Sequence, residues 1–185
     1  KTIVLSMPIN QIQSQHDLSL KHQEWLVKNF NNVEAHTIKL DNLFASFKDS
    51  LSDFNNDHGL ANSRARLRMT TLYQVAAANK GIVVGTGNKV EDFGVGFYTK
   101  YGDGGVDISP IADCNKTEVW EIGKELRILD EIIKAEPTDG LWDDGRTDTG
   151  QLGLQYNELE EAMKNPNSKN REKYEKIRKL NLHKM

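Results

Sequence analysis

A single cysteine, Cys114, stands in 185 residues, which excludes an intramolecular disulfide framework and suits a reducing cytoplasm. No apolar run approaches the length of a membrane span or of a signal-peptide core. Lys and Arg number 24 against 27 Asp and Glu, so the basic excess of a nucleic-acid surface is missing. The histidines at 16, 22, 36, 58 and 183 show no HxxxH or HxH spacing, which argues against zinc, and no Walker or G-x-S-x-G motif occurs. What is present, 37% hydrophobic and 28% charged residues, suits one globular domain spanning residues 1–185.

The chain opens on Lys1-Thr-Ile-Val-Leu-Ser-Met7, which reads as a buried strand over 2–6 with no start methionine or leader before it. Pro8 and a polar run break it, and Leu20, Trp25, Leu26 and Phe30 then recur at helical spacing over 16–30. A second strand is expected at 34–40, followed by a helix to Leu51 capped by Asp41. Ala61, Ala65, Met69, Leu72 and Ala76 repeat every three or four residues, predicting a helix over 60–79 that feeds a third strand at 82–85. Another helix is expected from Lys116, capped by Asp113 or Asn115, and a charged helix within 168–185. Strands alternating with helices predict an α/β fold, a Rossmann-like parallel sheet with flanking helices. Residues 135–153 read as a loop, mobile over 139–150 because its glycines give freedom and Asp139, Asp143, Asp144 and Asp148 repel one another.

The predicted strand 82–85 ends in Gly85-Thr86-Gly87, and ligands of open α/β sheets sit at the carboxyl ends of strands. Thr86 offers a hydroxyl to a nucleotide, and Glu91, five residues on, a carboxylate suited to Mg²⁺, although a glycine-rich turn and a surface glutamate are commonplace. Arg64, Arg66 and Arg68 flank the apolar stripe of the long helix without being able to grip one anion together, and arginines so placed are more often solvated or paired. Lys116 at a helix start opposes the helix dipole, so a negative group is expected opposite it.

Taken in order, "NSRARLRM", "VVGTGNKVE", "FYTKYGDGGVD", "PIADCNKTEVWEIGKEL", "KAEPTDGLW" and "LHKM" resemble the ammonia-dependent NAD synthetase family over essentially the whole chain. The resemblance implies an ATP pyrophosphatase fold, a homodimer, and conversion of deamido-NAD, ATP and ammonia to NAD, AMP and pyrophosphate with Mg²⁺. In that scheme the nicotinate carboxylate is adenylated and ammonia then displaces AMP. It assigns Arg66, Lys100, Asp107, His183 and Lys184 to deamido-NAD, Thr86, Lys116 and Thr138 to ATP, and Glu91 to magnesium. On this view the glycines let the chain pass between two nucleotides, and a phosphate chain is the negative partner of Lys116. No membrane and no nucleic acid enter.

The family's Ser-Gly-Gly-x-Asp-Ser loop, which cradles pyrophosphate, would lie before Lys1, so the chain is expected to be N-terminally incomplete and to turn over little by itself. Ser6 also stands near where many relatives carry an arginine. Two other readings compete: a non-catalytic dinucleotide-binding fragment, and an ATP-pyrophosphatase amidase that uses glutamine. The second needs a nucleophilic cysteine, and Cys114 has no histidine in its segment and reads as a small buried thiol.

Overall fold

Thr2–Ser6 (β1) and Val33–Thr37 (β2) pair in parallel, Thr2 opposite Val33 and Ser6 opposite Thr37, with Gln13–Asn29 (α1) as the crossover that parallel pairing requires. This is a computed structural model describing residues 1–185, and it shows the expected α/β fold, a parallel sheet with flanking helices. Gln23 of α1 is buried and donates to Val4 O at 3.2 Å and His36 O at 3.0 Å, so the helix is fastened to both strands. The ladder stops at Thr37 rather than Leu40. Opposite the continuation stands Pro8, which has no N–H and offers only its carbonyl, to Leu40 N.

Asp41–Ser50 (α2) follows, and Asp41 is its first residue rather than its cap: Asp41 Oδ1 accepts from Asn10 N at 2.7 Å, holding the turn after β1. Asp57–Ala78 (α3) begins three residues before the expected start, because the Asn56 side chain accepts from Gly59 N. Ala65 is buried and Met69, Leu72 and Ala76 are half-buried, so the predicted stripe faces inward. The arginines separate by face. Arg64 is buried, Arg68 donates to Met7 O and Gln11 Oε1, and Arg66 alone points to solvent.

The expected strand 82–85 shrinks to one parallel bridge, Val84 with Ile108, supported by Gly85 N to Ile108 O and Asp107 N to Val83 O. It shares no backbone hydrogen bond with β1, and Ile82 and Val84 stay 61% and 54% exposed. The sheet proper therefore consists of β1 and β2, and the Val84–Ile108 bridge stands outside it.

The remaining helices are Lys116–Glu125 (α4), Asp130–Ile133 (α5), Asp148–Leu152 (α6), Tyr156–Lys164 (α7) and Arg171–Asn181 (α8). None is long and apolar enough to cross a membrane. The larger core cluster unites Val90, Val95, Leu152, Leu154, Tyr156, Leu159, Ala162 and Tyr174. Val90 and Val95 belong to a π-helical segment, Lys89–Val95, so burying both ends of it fixes what lies between. A smaller cluster, Ile9, Leu40 and Phe44, sits beyond β1. The charged helix α8 is not a solvated rod, since Tyr174 and Ile177 pack into the larger core.

Candidate active site

Glu91 lies in the first turn of the π-helical segment, where Asn88, 2% exposed, accepts from both Val90 N and Glu91 N at 3.1 Å. π-Helical turns are rare and recur at functional sites. Gly96 ends the segment at φ 67°, and a Cβ there would strike Asn181 of α8. Gly87 has a comparable reason: a Cβ would overlap the Asp92 carboxylate. In both cases the close approach is made by the protein itself.

Lys116 begins α4, where its charge opposes the dipole, and the negative group that the fold sets opposite it is Glu91, which the sequence did not single out for this pairing, with Nζ 2.8 Å from Oε1. The same Oε1 takes a 2.7 Å contact from the hydroxyl of Tyr156, whose ring lies 5.0 Å beneath the Lys116 ammonium and edge-on to Trp120. Both protein contacts of Glu91 fall on Oε1, leaving Oε2 available. Tyr156 OH also stands 2.7 Å from Asp148 Oδ2, and Asp148 Oδ1 is buried with no partner. Burial raises the Asp148 carboxyl above its ordinary range, and raises the Tyr156 phenol as well, with Glu91 adding to the effect. Glu160, 7% exposed on α7, accepts from Thr117 N at 3.0 Å and Thr117 Oγ1 at 2.7 Å, so it satisfies the start of α4 directly after Lys116.

A second group gathers the C-terminal residues. Lys100 Nζ donates to His183 O at 2.8 Å, Tyr98 OH to Lys184 O at 2.5 Å, and Lys184 Nζ to Gly96 O at 2.9 Å. Arg66 Nε reaches Lys100 O at 3.2 Å, so four of the predicted dinucleotide residues, Arg66, Lys100, His183 and Lys184, form one chain of contacts. Asp107 stands apart from it. Its carboxylate accepts from Tyr73 OH at 3.1 Å and Val83 N at 2.7 Å, which occupies both oxygens.

Thr86 is exposed after the bridge strand. Thr138 accepts from Gln15 Nε2 at 3.1 Å on the rim of a cleft of about 570 Å³ between β1, α1 and residues 132–140. The loop after it is paired rather than self-repelling: Asp139 accepts from Leu141 N and Gln151, Asp143 pairs with Arg64, and Asp144 with Arg146. Cys114 is half-buried beside α4 instead of lying in the core. Sequence reasoning gave no site role to Tyr156, Asp148 or Glu160; Asp148 and Tyr156 each begin a helix, whereas Glu160 lies in the middle of α7 and has no local signal.

No three His, Cys, Asp or Glu side chains converge as a metal cage. Glu91 Oε2 has no protein partner, and a single carboxylate oxygen of this kind is compatible with a hard cation that takes its other ligands from phosphates and water.

An NH(3)-dependent NAD(+) synthetase of Carboxydothermus hydrogenoformans is 40% identical over 142 residues, covering 75% of this chain and 58% of that protein. The chain thus spans less than two thirds of the length of this curated relative. Among solved structures, an NMN synthetase from Francisella tularensis superposes with a TM-score of 0.89 at 32% identity, over 99% of this chain and 75% of that one. An NH3-dependent NAD synthetase from Campylobacter jejuni gives 0.69 at 23% identity, over 99% and 71%, and that likeness concerns the fold alone. The family model described as NAD synthase matches residues 1–185, end to end through Glu91, Lys116 and the C-terminal group, and the chain belongs to the NAD synthase family.

Proposed function

We propose that this protein, as one domain over residues 1–185, contributes the nucleotide-binding and amide-forming site of an ammonia-dependent ligase that converts deamido-NAD to NAD, with ATP split to AMP and pyrophosphate. The observation that carries this reading is the Glu91–Lys116 pair, in which Oε1 is held by Lys116 and Tyr156 and Oε2 has no protein partner.

A carboxylate resists attack by an amine until its oxygen becomes part of a good leaving group. Transfer of AMP to the nicotinate carboxylate meets that need, and ammonia then forms the amide bond as AMP departs. Glu91 Oε2 would hold Mg²⁺, which when bound offsets charge on the phosphates. Lys116, now paired with Glu91, supplies a donor for the departing pyrophosphate. Thr86 and Thr138 would offer hydroxyls to ATP, while the connected group Arg66, Lys100, His183 and Lys184 would meet deamido-NAD, with Asp107, held apart by Tyr73 and Val83 N, as a further contact. Holding both nucleotides together removes most of the entropic cost of their encounter. A homodimer is the assembly this reading carries.

The test is product formation by the complete protein from deamido-NAD, ATP and ammonium, followed as NAD and AMP in equal amounts. Glu91→Gln should abolish it; NAD formation by Glu91→Gln at the unsubstituted rate would overturn the reading. The likeness to the Francisella NMN synthetase favours a second substrate, nicotinate mononucleotide, so the same assay is run with each. The better substrate by kcat/KM decides between them.

A further inference from the structure

We propose that Asp148, acting through Tyr156, is a positioning residue that ties the Thr138 loop to Glu91, so that seating a nucleotide against Thr138 and presenting Glu91 Oε2 to a cation are coupled. This rests on the reading of Glu91 and Thr138 given under Proposed function.

Asp148 makes two connections in opposite directions. Its backbone N donates to Pro137 O at 2.9 Å, closing the loop at the residue before Thr138. Its side chain reaches Tyr156 OH at 2.7 Å, and that hydroxyl touches Glu91 Oε1 at 2.7 Å. The relay is stiff at every joint. Asp148 and Tyr156 are 5% and 2% exposed, and Trp120 and the Lys116 ammonium close on two sides of the phenol ring. Any displacement of the loop base therefore moves the phenol, and through it the oxygen that decides which way Glu91 faces.

The arrangement is a poor one for stability alone. It keeps two carboxylates around one phenol and leaves Asp148 Oδ1 buried without a partner, an outcome that apolar packing would avoid. Replacing side chains that orient a ligating carboxylate typically costs about tenfold to a hundredfold in metal affinity or activity.

The experiment compares Tyr156→Phe, Asp148→Asn and the double variant of the complete protein, using Mn²⁺ as the probe cation. Free Mn²⁺ is measured by electron paramagnetic resonance in the presence of α,β-methylene ATP, with no turnover involved. Each single variant is expected to weaken Mn²⁺ binding about tenfold, and the double variant to match Tyr156→Phe alone, because Asp148 acts only through the phenol. In turnover, the metal concentration for half-activity should rise while kcat at saturating metal falls far less. Leu40→Ala, a change in the smaller core cluster that contains neither Asp148 nor Tyr156, lowers the melting temperature without changing Mn²⁺ affinity and is the control for folding. Wild-type Mn²⁺ affinity in Asp148→Asn, multiplied effects in the double variant, or an equal Mn²⁺ loss in Leu40→Ala would each overturn the proposal. Unaltered Mn²⁺ binding in Glu91→Gln would instead overturn the assignment of Glu91 itself.

Discussion

Lys116 and Glu91 form an ion pair at 2.8 Å with side chains only 19% and 16% exposed. Withdrawal from water at that level makes the loss of one partner costly, because the other charge stays behind. Lys116→Met should therefore lower the unfolding free energy by about 1.5–3 kcal/mol in urea titrations, the range for hydrogen bonds to charged groups. Adding Glu91→Leu to it should recover part of the loss, and a double variant less stable than Lys116→Met would contradict the pairing.

Glu160 gives α4 its first-turn acceptor from another helix, α7. Glu160→Ala strands Thr117 N and its hydroxyl, so a loss of about 1–3 kcal/mol is expected by chemical denaturation. Amide exchange in residues 117–120 should speed up more than exchange in α8, and uniform acceleration would count against a local cap.

His22 stacks on Trp25 at 5.8 Å, and its Nδ1 is buried without a partner. Burial lowers its pKa below the ordinary 6.5, so the unfolded chain takes up the proton first. The contribution of neutral His22 is complete above pH 6.5 and is lost as the pH falls through the folded-state value. Stability curves between pH 7.5 and 5 should slope downward toward acid, and His22→Gln should flatten that slope. An unchanged slope would remove His22 from the account.

Arg64 is buried over the Phe44 ring and donates to Leu141 O and Asp143 Oδ1. This is the contact that holds the loop expected to be mobile over 139–150. Arg64→Leu should let trypsin cut after Arg146 several-fold faster at a temperature where the rest of the fold is intact, with unchanged cleavage as the contrary result.

Deamido-NAD and NAD differ by a carboxylate against an amide, and Arg66, Lys100 and Lys184 are the cations in the C-terminal group. A charge-assisted bond contributes about 1.5–3 kcal/mol, enough for roughly tenfold to hundredfold discrimination. Calorimetry on the complete protein should show deamido-NAD binding tighter by that factor, with the gap shrinking when the responsible cation becomes methionine. Equal affinities would end the idea.

Elements whose signal is local were legible from the chain. The hydrophobic period of α3 and the strand–helix–strand order of β1, α1 and β2 come from neighbours within a few turns. Where a distant group decides, sequence reading fell short. Pro8 ends the pairing of β2 from across the sheet, and Asn10 draws Asp41 away from capping. The π-helical segment depends on partners in α7 and α8, including Tyr174 OH to Gly94 O. Glu91 and Lys116 could be named as site residues from motif resemblance, but their contact, and the joining of Glu91 to Asp148 by Tyr156, exists only once α7 is packed.

The C-terminal group fastens position 183 by its carbonyl, through Lys100 Nζ, while the imidazole of His183 takes no hydrogen bond within the chain. Attachment at this position thus rests on a main-chain atom and leaves the imidazole unengaged. A carbonyl is common to all twenty amino acids, so the grip on the tail is indifferent to which side chain stands there. Position 183 is in effect a socket, in which the side chain can be exchanged by evolution or by design without disturbing the seat.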